Sequence, residues 1–194
     1  MDFKERAYSI LIVSAAEKFN TSLLELFPDF KYYPVRFEES ISAAKRALLE
    51  REFDFVAINS PLPDNDGIRF SIDVCTGKSS VVLLFVRNEL YDSIFEKVSP
   101  HGVYTLPKPT AKQTVNQALD WMASTRERLR KLEKKTVSLE DRIQEIRIVN
   151  RAKWILIEQL KMTEADAHRY IEKQAMNRCV SKKEIAESIV NTYG

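Results

Sequence analysis

Short apolar runs alternate with helix-period segments along the first half of the chain. Each run is about the length of one strand, and the runs cover residues 7–13, 32–35, 53–58, 81–86 and 103–106. Between them, apolar residues recur at spacings of three and four, as in amphipathic helices, over residues 17–27, 40–50, 67–74 and 89–98. Because parallel strands need a helix-length connection, this order predicts an α/β fold with a five-stranded parallel sheet covered on both faces.

Proline and glycine mark the end of this pattern. All 7 prolines lie at or before Pro109, and Gly194 is the one glycine beyond it. The rest of the chain is rich in Leu, Ile, Glu, Lys and Arg, and only capping residues or a loss of pattern interrupt a helix there. We therefore predict an all-helical second half that begins with one long helix, from an N-cap at Thr110 to about Leu160.

From Met122 onward the apolar residues of this helix follow a heptad repeat. Such a seam is typical of a coiled coil, and a polar Asn at a seam position favours two strands in register. The sequence thus predicts a homodimer with a coiled-coil linker over residues 123–146. The residues assigned to the dimer contact are Leu129, Leu132, Leu139, Ile143, Ile146 and Asn150. A helix folded back on its own N-terminal domain is less favoured, because the other faces carry basic residues such as Arg126, Arg128 and Arg130.

Capping residues mark two shorter helices after the linker. The segment from Thr163 to Asp166 approximates a capping box, and the segment from Ser181 to Glu184 matches one fully. The apolar faces of both helices, together with the end of the long helix, predict a small three-helix core. The predicted domains are therefore residues 1–122 and 147–194, on either side of the linker.

The charge balance excludes several classes of protein. Among 194 residues, Lys and Arg number 30 and Asp and Glu number 28, for a net charge of +2. This excludes a globally basic chromatin-type protein and an acidic disordered tail, so a nucleic-acid surface must be local. Basic residues outnumber acidic ones only in the helical half. No segment is apolar enough for a membrane span or a signal peptide, and we expect a cytoplasmic protein without a membrane partner.

Metal, disulfide and catalytic chemistry have little support in the sequence. The only cysteines, Cys75 and Cys179, are far apart and have no histidine nearby, so we expect two buried thiols rather than a disulfide or a zinc site. No catalytic constellation is found. We expect no cofactor, no metal and no enzymatic activity.

Three segments of the first half carry a resemblance to a known domain. The run from Asp54 to Gly67, the strand ending at Ser14 and the Leu106-Pro-Lys-Pro109 segment together resemble the receiver domain of two-component response regulators, over residues 6–122. The resemblance implies a flavodoxin-like fold. It also implies a pocket in which two carboxylates and an acceptor aspartate hold Mg²⁺, with a lysine that contacts the phosphoryl group.

The chain departs from the receiver pattern at the acidic positions. Ser14 and Ala15 stand at the paired acids and Asn59 stands at the acceptor. Val86 or Phe85 replaces the usual hydroxyl residue, and Lys108 alone remains. Mg²⁺ needs anionic oxygens, and an amide oxygen is a poor nucleophile toward phosphorus. We therefore predict a degenerate pocket in a pseudo-receiver that is not phosphorylated. Its control should come from a regulatory protein or ligand, or from the expression level.

Two nearby aspartates offer an alternative metal site. Asp64 and Asp66 lie in a Pro-Asp-Asn-Asp-Gly segment, where side chains of this kind more often bond to the backbone of a tight turn. We favour the turn over the metal site. For Lys108 we likewise favour a hydrogen bond to Asn59 or to a strand-end carbonyl over a catalytic role.

A second resemblance covers residues 143–192. Four segments, which begin at Arg151, Met162, Gln174 and Glu184, are similar in order and spacing to the motifs of the ANTAR domain. The resemblance implies that the domain binds RNA hairpins in leader transcripts and acts in transcription antitermination, in a regulator of the response-regulator type.

Hairpin binding requires cations for the phosphates and groups that contact splayed loop bases. The candidate RNA-binding residues are Arg151, Lys153, Trp154, Arg178, Lys182 and Lys183. Trp154 stands where the family commonly has a small residue, and it either stacks on an unpaired base or packs between helices, of which we favour the packing. We also expect Met176 in the core.

Two other functions remain open at this stage. The last two helices could imitate a helix-turn-helix in a DNA-binding response regulator, in which case duplex DNA would displace a hairpin at least as well as unrelated RNA. The chain could also be a protein-interaction module without nucleic acid, and its binding would then not weaken steeply with added salt.

Overall fold

The computed structural model describes residues 7–77 and 80–193, and the chain divides into two compact units, Met1–Arg130 and Lys131–Gly194. The first unit extends past residue 122, where the sequence suggested a boundary. In the described part of the chain, no helix combines the length and the apolar character that crossing a membrane requires.

The N-terminal unit contains the predicted five-stranded parallel sheet. Its strands are β1 (Tyr8–Val13), β2 (Tyr32–Glu38), β3 (Phe55–Asn59), β4 (Val81–Arg87) and β5 (Tyr104–Lys108). The strand order is β2-β1-β3-β4-β5, and all four pairings are parallel. This order places the carboxyl ends of β1, β3 and β4 side by side, where ligand sites form in open α/β sheets.

Helices cover both faces of this sheet. They are α1 (Glu17–Leu24), α2 (Ile41–Glu50), α3 (Ile68–Gly77), α4 (Tyr91–Val98) and the start of α5 (Lys112–Leu160). Alternate strand residues such as Val56 and Ile58 pack with α2, α3 and α4, whereas Phe55 and Ala57 pack with α1 and α5. Because β3 is buried on both faces, it reads as a continuous apolar run in the sequence.

The start of α5 is bound tightly to the N-terminal unit. Met122 is fully buried, Leu129 packs partly against the same core, and the hydroxyls of Thr125 and Tyr104 lie 2.7 Å apart. The heptad assignment is therefore wrong for Leu129 as an exposed dimer contact. Its spacing instead reflects the face of α5 that packs on the sheet.

The carboxylate of Asp54, which lies just before β3, binds the segment of α5 that follows Thr125. It accepts hydrogen bonds from Arg126 Nε at 2.9 Å and Arg130 Nη2 at 2.8 Å, and from the backbone N–H of Ser9 at 3.1 Å. Burial alone would raise the pKa of Asp54, but these bonds outweigh it and hold the pKa below its ordinary value. The expectation that both arginines lie on a solvated face is therefore wrong.

The C-terminal unit is the predicted three-helix core. The end of α5 packs against α6 (Glu164–Arg178) and α7 (Lys182–Tyr193). Three buried alanines, Ala152, Ala167 and Ala186, lie in this core and allow the helices to approach closely. The N-terminal caps form as predicted, since Thr163 Oγ1 accepts the N–H of Asp166 and Ser181 Oγ accepts the N–H of Glu184, both at 3.2 Å.

Three side chains are more exposed than the sequence suggested. Met176 is 78% exposed and is not a core residue. Cys179 is also exposed, because it ends α6 in the left-handed conformation at φ 53°, and Cys75 is only partly buried. The spacing of apolar residues identifies the buried face of α6. It does not show that residues in the last turn of the helix lie outside the core.

Candidate functional site

The pocket at the carboxyl end of the sheet is built from amide and hydroxyl groups. Ser14 directly follows β1 and Asn59 ends β3, and both side chains are buried with Val86 of β4, while Ala15 is exposed. Asn59 Nδ2 donates a hydrogen bond to Ser14 Oγ at 3.0 Å, and Ser14 Oγ also accepts the N–H of Ala16. These neutral groups satisfy one another across the two strands.

Lys108 closes this pocket from β5. Its ammonium donates hydrogen bonds to Asn59 Oδ1 and to the carbonyl of Ser60, which is the structural role that the sequence favoured. Burial, followed by the nearby Arg87, lowers the pKa of Lys108. The five predicted pocket residues therefore lie at the same edge of the sheet, and the amide of Asn59 connects Ser14 to Lys108.

Asp64 and Asp66 both bond to backbone groups, but the bond of Asp66 lies within the predicted turn, whereas Asp64 reaches the start of α2. The carboxylate of Asp64 accepts the N–H groups of Ile41 and Ser42 at the start of α2, each at 3.0 Å. These bonds lower the pKa of Asp64. Asp66 Oδ1 accepts the N–H of Ile68 at 3.0 Å. Across residues 7–77 and 80–193, no three His, Cys, Asp or Glu side chains gather in a metal-binding group.

A second candidate site is the basic surface of the C-terminal unit. Arg151 on α5 and Arg178 at the end of α6 are exposed. Two other predicted cations already have acidic partners, since Lys153 Nζ lies 3.0 Å from Glu164 Oε1 and Lys182 Nζ lies 2.5 Å from Glu172 Oε1. An incoming phosphate would compete with these carboxylates at the two lysines, but not at the arginines.

Trp154 lies on the same helix as Arg151 and is 70% exposed. The favoured expectation, that it packs between the helices of its own domain, is therefore wrong. The two residues are three positions apart, a spacing that places them on one face of a helix. A large indole and a guanidinium are thus presented together on the surface of α5.

A cleft of about 140 Å³ between α6 and α7 was not foreseen from the sequence. It is lined by Tyr170, Gln174 and Arg178 from α6 and by Tyr193 from α7, among others. Both tyrosines have the helical spacing of the core residues, yet both are exposed. The nearby polar side chains of Gln174 and Arg178 are the signal that this edge of the helical face is open to solvent.

The part of the heptad seam that lies in the C-terminal unit is exposed. Leu132, Leu139, Ile143 and Ile146 each have about half or more of their surface accessible, and Asn150 is exposed in the same segment. Single exposed apolar residues are ordinary, but a row of them along one helix indicates an interaction surface.

Solved structures similar to this chain share the fold of its N-terminal unit. A receiver domain of an HD domain-containing protein from Pseudomonas fluorescens Pf-5 has a TM-score of 0.58 at 24% identity, covering 65% of this chain and 93% of that one. A CheY-like receiver domain from Methylobacillus flagellatus has a TM-score of 0.52 at 18% identity, covering 60% and 99%. Residues 138–190 match the ANTAR domain. The chain has the architecture of an ANTAR response regulator.

A full-length relative supports this assignment. The transcriptional regulatory protein PdtaR of Mycobacterium tuberculosis is 25% identical over 141 residues, which span 73% of this chain and 69% of the relative. The ANTAR match covers the end of α5, all of α6 and most of α7, so it coincides with the three-helix core. Response regulators and ANTAR-domain proteins are regulatory families.

Proposed function

We propose that this ANTAR response regulator binds RNA hairpins in leader transcripts and thereby promotes transcription antitermination in the cytoplasm. The match of residues 138–190 to the ANTAR domain carries the proposal. The exposed indole of Trp154 and the exposed guanidinium groups of Arg151 and Arg178 support it.

The chemistry of hairpin recognition assigns separate roles to these side chains. Arg151 and Arg178 neutralise phosphates of the stem, and Trp154 stacks on an unpaired loop base, a contact worth about 1–3 kcal/mol in other systems. Lys183 contributes a further charge at the start of α7, where backbone N–H groups also attract anions. Lys153 and Lys182 contribute less, because their carboxylate partners must first be displaced.

The exposed seam of α5 supports a homodimer. A second copy would cover Leu132, Leu139, Ile143 and Ile146, with Asn150 setting the register of the two helices. The dimer would carry two ANTAR domains and bind two hairpins or two loops at once. Joined weak sites can exceed the affinity of either site by about 10² to 10⁴ when their spacing fits.

The pocket of Ser14, Asn59 and Lys108, in which an amide replaces the acceptor carboxylate, supports control without phosphorylation. It contains an amide where the receiver family has the acceptor aspartate, and that amide is bonded on both sides. A regulatory protein or ligand that binds the N-terminal unit then takes the place of the phosphoryl signal.

Hairpin selection from a random-loop RNA pool tests the RNA-binding proposal. The wild-type protein should enrich a loop sequence, and Arg151→Ala and Arg178→Ala should weaken binding of the selected hairpin at least tenfold. Lys97→Ala on α4 removes an exposed cation from the other unit and is the matched control, with unchanged affinity expected. Equal displacement of the hairpin by duplex DNA would overturn the proposal in favour of a DNA-binding regulator.

Intact-mass measurement tests the absence of phosphorylation. Incubation with acetyl phosphate and Mg²⁺ should leave the mass of the wild-type protein unchanged. It should also leave Asn59→Asp unchanged, because Ser14 and Ala15 supply no carboxylate for Mg²⁺. A phosphoryl adduct on either protein in this pocket contradicts the proposal.

A further inference from the structure

A cavity of about 290 Å³ lies beside the degenerate pocket, within the N-terminal unit. Its walls come from α1, from the carboxyl ends of β4 and β5, and from the first turns of α5. The apolar lining includes Phe19, Leu23, Phe85 and Val115. The rings of Phe19 and Phe85 meet edge to face, with centroids 5.0 Å apart. Such a lining suits a flat apolar body, because aromatic groups prefer edge-to-face and offset contacts.

The same cavity is lined by three lysines. Lys112 forms an ion pair with Glu25. In the described part of the chain, neither Lys18 nor Lys108 forms an ion pair with an acidic side chain. Lys108 uses two of its three N–H donors on Asn59 and Ser60, which are neutral acceptors.

Within residues 7–77 and 80–193, the bonding partners of the Lys108 ammonium are neutral and leave its positive charge uncompensated. The ammonium is partly buried, and its pKa is lowered first by burial and then by Arg87. An anion beside it would relieve both effects, since an opposite charge favours the protonated lysine. The cavity thus combines an aromatic wall with excess positive charge on one side.

We propose that this cavity binds a small organic anion with a flat aromatic body, such as an aromatic carboxylate. The ring lies against Phe19 and Phe85, and the carboxylate faces Lys18 and Lys108. The proposal goes beyond RNA binding and does not rest on it, because the cavity lies wholly in the N-terminal unit and its occupancy is measured without RNA.

Calorimetric titration of the full-length protein with 2-naphthoate tests the proposal. We expect one saturable site per chain. The neutral isostere 2-naphthamide should bind about tenfold more weakly, which isolates the contribution of the negative charge. Inorganic phosphate should neither bind at the concentrations used nor compete, because it lacks the aromatic body.

Two variants of α1 locate the site. Ser22 is exposed and lines the cavity, so Ser22→Trp should fill the space and reduce the affinity for 2-naphthoate at least tenfold. Its neighbour Thr21 is exposed and does not line the cavity, so Thr21→Trp should bind like the wild type and is the matched control. Unchanged binding in a folded Ser22→Trp places the ligand elsewhere and overturns the proposal.

Variants that remove a lysine charge test the proposal without the bulky Ser22→Trp substitution. Lys18→Gln and Lys108→Gln should each weaken 2-naphthoate and leave 2-naphthamide unchanged. Equal affinity of the wild type for the two naphthyl compounds contradicts recognition of an anion. Competition by inorganic phosphate contradicts the claim that the cavity recognises an aromatic body. Failure of both naphthyl compounds to bind overturns the whole inference. None of these outcomes alters the hairpin test.

Discussion

At the scale of single residues, Cys179 shows how a local conformation limits stability. It ends α6 at φ 53° and ψ 40°, a left-handed conformation that costs a residue with a Cβ atom roughly 1–2 kcal/mol. We predict that Cys179→Gly raises the free energy of unfolding of the C-terminal unit by about 1 kcal/mol. Denaturant unfolding followed by circular dichroism measures this.

A second substitution, which should lower the free energy of unfolding, serves for comparison. Lys173→Gly places a glycine inside α6 and should lower the free energy of unfolding by about 1 kcal/mol. If Cys179→Gly also destabilises the protein, the left-handed conformation of Cys179 does not have the energetic cost that we assign to it.

The hydrogen-bond partners of individual residues could be predicted where the fold determines which residues are neighbours. The bond between Lys108 and Asn59 followed from two strands that end at the same edge, and the backbone bond of Asp66 followed from its turn-forming segment. The bonds of Asp64 to the start of α2 did not follow, because they join segments that are far apart in the sequence. The exposure of Trp154 and Met176 did not follow, because a helical period defines a face but not the extent of the helices that cover it.

At the scale of elements, the contact between Asp54 and α5 is a partly buried ionic link within the N-terminal unit. Its carboxylate is held by Arg126 and Arg130, with side chains that are 13%, 11% and 17% exposed. We predict that Asp54→Asn lowers the free energy of unfolding by about 2 kcal/mol, because two partly buried guanidinium groups lose their charge-assisted hydrogen bonds to this carboxylate. Chemical unfolding of both proteins measures this difference.

An exposed ion pair on α3 is the matched control. Arg69 and Asp73 are four residues apart and largely solvated, so Asp73→Asn should cost no more than about 0.5 kcal/mol. An equal loss in the two variants would show that the link from Asp54 to α5 contributes no more than a surface pair.

The pH dependence of stability provides a separate test of the same contact. The folded pKa of Asp54 lies below the unfolded value, which is about 3.9. The stabilisation is therefore complete above that value and is lost as the pH falls toward the folded pKa. The stability difference between the wild type and Asp54→Asn should be full at pH 7 and shrink below about pH 4. A difference that grows on acidification contradicts this account.

The elements themselves were largely predictable, and the missed contacts have one cause. The five strands and the helix ending at Leu160 followed from apolar runs and from the position of the prolines. The assignment of Leu129 to the dimer seam failed because a helix that packs on a sheet and a helix that packs on a partner have nearly the same apolar spacing. The spacing of apolar residues therefore does not distinguish a helix that packs on its own sheet from a helix that packs on a second chain.

At the scale of the whole molecule, the proposed dimer depends on the exposed part of the seam. We predict that Ile143→Asp shifts the full-length protein from dimer to monomer, because a charge at a seam position is buried without a partner. Sedimentation equilibrium measures the mass. Glu140→Gln, at an exposed position outside the assigned seam, should leave the dimer intact. A monomeric wild-type protein contradicts the proposed assembly.

Equilibrium binding of the full-length protein to its selected RNA hairpin, measured over a series of salt concentrations, tests the central claim most directly. We predict saturable binding that weakens steeply with salt, poor competition by duplex DNA, and a salt slope that decreases by about one in Arg151→Ala. A protein that enriches no hairpin from the pool, or whose binding is independent of salt, would contradict the account.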